Sequence, residues 1–260
     1  MVAEMKLCFV SDLHIDIAGQ PKIVWPEADA LFVAGDTSDG RIETRALIEE
    51  VARIYPRVFF VDGNHDNYSN GAETVADTVA FFRDLSIGNA TFLGGEDEAI
   101  PFDDLYVVGR NGWYSFDSMG DPIRNREEWK TATNDCDAIG FDRVAQKQPW
   151  ELAREHADEI RAMIERTIEA DAGARFAVMT HSAPHIDMIY NDPKYMFSNP
   201  FYVNMHMAPI LARYGSRIAV WQHGHTHNRR ERIINGAYVI ANPRGRLSEN
   251  PSWEPVVIDI

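Results

Sequence analysis

Short apolar, β-branched runs recur along the chain, each closing on a polar or glycine-containing turn. They are KLCFVSD (6–12), ALFVAGD (30–36), RVFFVDGNHD (57–66), DLYVVGR (104–110), RFAVMTH (175–181) and RIAVWQHGH (217–225). Their apolar character is continuous rather than alternating, which predicts strands buried on both faces. Between them, Thr44 to Tyr55, Ala72 to Leu85 and about Trp150 to Ala170 carry helical spacing, the last with Glu, Arg and Ala on its polar faces. Strand, helix, strand predicts layered α/β packing. After His227 the pattern becomes RRERIINGAYVIANPRG, where Asn235-Gly236 predicts a tight hairpin, and the last run, PVVIDI, predicts another strand. Antiparallel strands are thus added to a sheet system that began with helical crossovers. Residues 111–149 follow neither period and read as an irregular surface excursion, a lid or specificity insertion within one domain spanning 1–260.

Composition narrows the classes. With 260 residues, 45% hydrophobic and 25% charged, the chain has ordinary globular proportions and enough length to bury a core. No basic region and long apolar run open the sequence, and no apolar stretch approaches the roughly 18–20 residues of a membrane helix. A cytoplasmic protein without a membrane partner is expected. Cys8 and Cys136 are too few for a disulfide scaffold and suit a reducing compartment. A formal charge of −15 argues against a long nucleic acid as partner, since backbone binding draws on Lys and Arg that displace counterions. Bound metal cations would offset part of that charge, and small anionic substrates remain compatible with it.

The polar residues fall where the apolar runs end. Asp12 and His14 lie in SDLH, Asp36 in GD, Asn64 and His65 in GNHD, His181 in MTH, and His225 and His227 in GHTH. Side chains at the carboxyl ends of several strands converge on one crevice in open α/β sheets. Carboxylate, imidazole and amide oxygen together suit Mn, Fe, Zn or Co better than Ca. Two cations held close together need a shared anionic ligand, for which Asp36 is the candidate. Each motif alone is common; five in this order are not.

In that order the motifs DxH, GD, GNHD, a lone strand-end His and GHxH resemble the calcineurin-like metallophosphoesterase superfamily, from about Lys6 to His227. The resemblance implies a four-layer αββα sandwich, two mixed β-sheets with helices outside, carrying a dinuclear metal centre. It implies one metal on Asp12, His14, Asp36 and His227, and a second on Asp36, Asn64, His181 and His225. A hydroxide bridging the two metals would attack phosphorus, with His65 assisting the leaving oxygen and Asp39 paired with His65. The cofactors expected are two transition-metal ions, Mn, Fe or Zn, and the substrate a small phosphodiester or phosphomonoester.

Other residues are weighed beside this set. Arg110 and Arg244 end strand-like runs and could contact a phosphate, as could Arg246; structural ion pairs are the plainer role for each. His185, shortly after HSAP, is a further substrate candidate or a loop histidine. His223 reads as structural, His206 as part of a turn, and His156 as surface. The aromatics of NGWYSF (111–116) and Trp129 are specificity candidates, though packing under a long loop is the commoner use. Protein phosphatases of the superfamily carry Arg after the aspartate matching Asp39 and Glu after the histidine matching His65. Here those positions are Gly40 and Asp66, which makes a protein phosphatase, like a nuclease or a noncatalytic scaffold, a secondary reading.

Overall fold

A computed structural model describes residues 5–190 and 197–260. Its strands are β1 (Lys6–Val10), β2 (Ala30–Ala34), β3 (Val58–Val61), β4 (Ala90–Phe92), β5 (Ile100–Phe102), β6 (Leu105–Arg110), β7 (Phe176–Thr180), β8 (Ile218–His223), β9 (Arg230–Ile234), β10 (Ala237–Ala241) and β11 (Val256–Asp259). The helices are α1 (Arg41–Val51), α2 (Val75–Arg83), α3 (Pro122–Ala132), α4 (Asp135–Ile139), α5 (Pro149–Ala170) and α6 (Ala208–Tyr214). Two sheets form, one in the order β11-β1-β2-β3-β4 and one in the order β5-β6-β7-β8-β10-β9. Both are mixed, because β11, β5 and β9 run antiparallel at sheet edges while the interior pairs are parallel.

The period-two geometry of a strand divides each sheet's side chains between two interfaces. Leu7, Phe9, Phe32, Phe59 and Val61 of the first sheet meet Val107, Ala177, Met179, Val220 and Ile240 of the second. The alternate residues Cys8, Val10, Leu31, Val33 and Phe60 pack outward against Leu47, Ile48 and Val51 of α1 and Phe82 of α2. On the other side, Val108, Phe176, Val178, Trp221 and Val239 pack against Ala157, Ile160 and Ile164 of α5 and Ile210 and Leu211 of α6. Three apolar interfaces therefore separate four layers, the αββα sandwich that the resemblance implies. Continuous apolar runs are needed because both faces of each central strand are covered. No helix among the described residues is long and apolar enough to cross a membrane.

Two local features set element boundaries, the second of them the expected hairpin. Thr74 caps α2 reciprocally with Asp77, its hydroxyl accepting from Asp77 N at 3.2 Å while Thr74 N donates to the Asp77 carboxylate at 2.8 Å. Asn235 and Gly236 take φ of 52° and 94°, the positive pair a two-residue hairpin requires, and join β9 to β10. The edge strands β4 and β5 were not anticipated. Each has three residues, too few to show a period, and Pro101 in β5 is tolerated because that strand is an edge.

The segment 111–149 is not the irregular surface excursion expected. It carries α3 and α4 and buries Trp113, Tyr114, Phe116, Trp129 and Phe141 at 0–3% exposure, in a cluster with Leu152 and Ala153 of α5. Its mixed pattern conceals a small aromatic core because the buried residues come from several short pieces rather than from one periodic face.

Candidate metal centre

Every strand-end motif lands at one crevice. Asp12 and His14 follow β1, Asp36 follows β2, Asn64 and His65 follow β3, His181 follows β7, and His225 and His227 follow β8. Backbone hydrogen bonds stitch these turns together across the sheets: Asp12 N to Gly35 O at 3.0 Å, His14 N to Asp36 O at 3.2 Å, and Gly224 N to His181 O at 2.9 Å. Close approach explains the glycine of GN. A Cβ on Gly63 would lie 2.0 Å from the Asp36 carboxylate, so no side chain fits there.

Asp12, His14, Asp36, His225 and His227 all have positive φ, between 41° and 68°. For non-glycine residues this left-handed conformation costs on the order of 1–3 kcal/mol each and persists where the surroundings enforce it, as at functional sites. Each turns its side chain back toward the crevice immediately after the strand ends.

Three groups of donors result among the described residues, of which His14, Asp39 and His65 form one and the other two share Asp36. Asp12, His14, Asp36 and His227 offer ligand atoms all within 4.8 Å of one another, and so do Asp36, His181 and His225. Asp36 belongs to both. In the first group His14 Nε2 and His227 Nε2 face each other at 3.1 Å, and His227 Nε2 is 3.4 Å from Asp12 Oδ1. In the second, His181 Nε2 is 3.2 Å from Asp36 Oδ2 and 3.0 Å from Asn64 Oδ1, which brings Asn64 to the same point.

The outward nitrogens of three histidines set which nitrogen faces in. His181 Nδ1–H donates to Ala34 O at 2.8 Å, His225 Nε2–H to Phe201 O at 2.8 Å, and His227 Nδ1–H to the Glu249 carboxylate at 2.6 Å. Each arrangement directs the other ring nitrogen to the crevice, the device that orients metal-ligating imidazoles. The donors fit cations in a further respect. Asp12 is fully buried; its Oδ1 accepts from His225 N at 2.8 Å, while its Oδ2 has no hydrogen-bond partner.

Electrostatics agree with that demand. Burial pushes the Asp12 carboxyl up, as expected of an acid without a full counter-charge. For Asp36 burial also opposes ionisation, yet the His181 and His65 imidazoliums outweigh it and hold the acid well below the usual range. Burial likewise lowers His181, but Asp36 beside it wins and raises the ring to about 10. A proton there occupies the position of a cation, and metal binding would release it.

Beside the first group, His65 Nδ1 meets Asp39 Oδ1 at 2.5 Å, and its ring lies 4.3 Å from that of Tyr68 and 4.7 Å from that of His14. Burial would lower His65; the Asp36 charge and the Asp39 hydrogen bond outweigh it and raise the imidazole to about 9. A protonated imidazole is the form that can give a proton to a departing oxygen.

Several supporting residues were not foreseen. Asp66 accepts from Asp36 N at 2.8 Å, Thr37 N at 3.2 Å, Gly63 N at 2.7 Å and Thr44 Oγ1 at 2.5 Å, clamping the GD and GN turns together. Asp135, in the 111–149 segment, accepts from Asn64 Nδ2 at 2.9 Å and Tyr68 OH at 2.5 Å on one oxygen. Its other oxygen accepts from Tyr114 OH at 2.6 Å and Trp129 Nε1 at 3.4 Å. Anchoring Nδ2 leaves Asn64 Oδ1 turned toward His181. Glu249 takes the His227 Nδ1 proton. Only Asp66, as the last letter of GNHD, stood beside a visible signal; Asp135 and Glu249 lie 71 and 22 residues from the side chains they hold.

The substrate candidates are placed differently from expectation. The Arg110 guanidinium is taken up by Glu159 at 2.7 Å and by the carbonyls of Leu93, Gly109 and Glu96, so it ties α5 to the 93–96 turn instead of facing the crevice. Arg244 donates to the carbonyls of Leu13 and Pro21 and lies over Trp253, bracing the first metal group from behind. His185 Nδ1 accepts from Asp187 N at 3.2 Å and caps a short turn; it joins neither donor group. His156 is not at the surface: its half-buried ring accepts from Gly112 N at 3.1 Å, and burial pushes it down to about 3. His223 is fully buried and donates Nδ1–H to Gly224 O at 2.9 Å, a structural position as expected.

A family model described as calcineurin-like phosphoesterase matches residues 5–229, and the chain belongs to that family. No curated protein matches the sequence. Among solved structures, the fold is similar to that of the phosphopantetheinyl hydrolase PptH of Mycobacterium tuberculosis. Identity is 16% and the TM-score 0.76, with 100% of this chain and 97% of that one covered. A dimetal phosphatase from Danio rerio is similar at 12% identity and a TM-score of 0.52, over 91% of this chain and 86% of that one. These likenesses reinforce the four-layer fold.

Proposed function

We propose that the chain is a dinuclear metal-dependent phosphoesterase that hydrolyses a small phosphodiester or phosphomonoester. The observation that carries this reading is the pair of donor groups sharing Asp36, with the His65–Asp39 pair at their edge. One transition-metal cation, Mn, Fe or Zn, would be held by Asp12, His14, Asp36 and His227, and the second by Asp36, Asn64, His181 and His225. Such ions supply the positive charge that lowers the pKa of an attacking water and draws electrons from phosphorus.

The protein's own groups do the rest. Asp36, which belongs to both sets, would offset the repulsion between two cations held there. Glu249, Ala34 O and Phe201 O fix three imidazoles in the orientation a cation needs. Asp39 holds His65 by Nδ1, so that Nε2 can donate a proton to the leaving oxygen. Domain organisation follows the same reading: 1–260 acts as one unit, with 111–149 buttressing the site through Asp135.

The test is hydrolysis of bis(p-nitrophenyl) phosphate and p-nitrophenyl phosphate by metal-stripped protein refilled separately with Mn²⁺, Zn²⁺, Fe²⁺ or Co²⁺. Metal-dependent turnover of either ester supports the reading, and the faster one assigns diester or monoester preference. A phosphopantetheinyl substrate belongs in the same series, because the similar Mycobacterium tuberculosis hydrolase is named for that group. Metal uptake without turnover of any of them would overturn the proposal in favour of a noncatalytic scaffold.

A further inference from the structure

A cleft of about 560 Å³ lies between the 19–26 loop and the 244–255 segment, and no candidate metal ligand lines it. Its walls nevertheless hold the first donor group in place. Gln20 Nε2 donates to His14 O at 3.3 Å and to Gly245 O at 3.2 Å, Gly245 N donates to Asp12 O at 2.9 Å, and Asn250 Nδ2 donates to His227 O at 3.0 Å. The backbone of Asp12, His14 and His227 therefore lies between the cleft and the donor side chains and ties the cleft walls to the first donor group.

Its chemistry departs from the rest of the molecule. In a chain of net charge −15 the cleft is lined by Lys22, Arg244 and Arg246 against Glu254 alone. Arg244 is spent on backbone carbonyls, but Lys22 and Arg246 take part in no ion pair among the described residues. Arg246 and Lys22 are both exposed. The same cleft exposes apolar surface: Val24 is 82% and Leu247 51% accessible, and Trp253 forms part of the wall. Exposed cations beside an aromatic ring and exposed aliphatic groups match a ligand that is both anionic and apolar, since planar guanidinium groups bind anions while apolar contact fixes the body of the ligand.

We infer that this cleft is a ligand site in its own right, separate from the metal-site crevice, which binds a small organic anion held by Arg246 and Lys22 with its apolar portion against Trp253. The ligand chemistry rests on the cleft alone and is independent of the phosphoesterase reading.

The probe is naphthalene-2-sulfonate, an aromatic anion with no phosphorus to hydrolyse, titrated calorimetrically into metal-free and metal-loaded protein. Expected are one saturable site of similar affinity in both forms, quenching of tryptophan fluorescence that Trp253→Phe abolishes, and at least about tenfold weaker binding in Arg246→Glu or Lys22→Glu. Arg246 and Lys22 are not engaged in the core, so melting curves of these variants should overlay the parent and separate lost binding from lost fold. No saturable binding, or binding unchanged by both charge reversals, would overturn the site. Binding that appears only with metal and survives Arg246→Glu would place the sulfonate on the metals and overturn it as well. Ester hydrolysis is read separately, so failure of the phosphoesterase reading leaves a different signature from failure of the cleft.

Discussion

The two halves of the crevice are built from similar ligands but supported differently. In the deep half, His181 and Asn64 are 1% and 4% exposed, His225 stacks on Tyr114 with ring planes 10° apart, and Asp135 ties Asn64 to the buried aromatics of 111–149. In the outer half Asp12 and His14 are equally buried, at 0% and 1%, but the His227 side chain is 20% exposed, its partner Glu249 38%, and Asp39 beside His65 51%. Rigidity in the deep half comes from packing and from a carboxylate with its acceptor sites filled. In the outer half it comes from hydrogen bonds near solvent, where charge is screened and each contact contributes less. A hydrolytic site has use for both: an immobile floor for the metals and an accessible edge where substrate, His65 and a leaving group can meet.

The largest break in this comparison is expected where the halves join. Asp36→Asn should release both metals together, exceeding the about 10–100-fold loss of affinity typical of a partner outside the coordination sphere. Elemental analysis of the purified variant would check it, and one metal retained at full occupancy would show that Asp36 is not shared. Next comes His65→Ala at the outer edge. Turnover should fall by about 10²–10⁴-fold with metal content nearly unchanged, the usual range for a lost acid or base. Equal loss of metal would assign His65 a structural role.

The comparison sharpens with one substitution behind each half. Asp135→Asn and Glu249→Gln should each weaken metal binding by about 10–100-fold, measured by chelator competition. Only the first should also lower the melting temperature, because it leaves buried donors among Tyr68, Tyr114 and Trp129 unpaired, at about 1–3 kcal/mol each. A melting loss in Glu249→Gln equal to that in Asp135→Asn would remove the distinction between floor and edge.

The most local effect concerns the anchor of 111–149, where His156 accepts from Gly112 N. Burial, with the Arg110 charge adding to it, lowers His156 from 6.5 to about 3, so the unfolded chain takes up a proton in that window before the native chain does. Stability contributed by the neutral ring is present above about pH 6.5 and is lost as pH falls toward 3. In His156→Gln, denaturant unfolding followed across that window should depend less steeply on pH, by at most about 1.4 kcal/mol per pH unit. Identical slopes would mean that the ring is not held neutral.

Much of this site could be read in the chain. Strand-end placement in SDLH, GD, GNHD, MTH and GHTH named all seven candidate ligands, because a buried strand has to stop where its side chains turn polar. Asn235-Gly236 marked its hairpin for a comparably local reason. Arg110 and Arg244 show the limit of such reasoning. Both end strand-like runs, but a guanidinium has five donors to satisfy, and nearby carbonyls, joined for Arg110 by Glu159, claimed them first. Asp135 and the aromatics of 111–149 were illegible as a unit for the opposite reason: their meaning lies in contacts between pieces that share no period.

Local pattern was enough for layered α/β packing and for the donor residues of a candidate metal site, since hydrophobic periodicity and residue type act over a few positions and survive without knowledge of neighbours. The left-handed turns that aim Asp12, His14, Asp36, His225 and His227, the orientation of each imidazole, the carboxylate floor under Asn64 and the cationic cleft beside His14 arise only when distant segments meet. Each depends on hydrogen bonds and charges whose strength falls steeply with distance, and distance in space is a property of the folded chain.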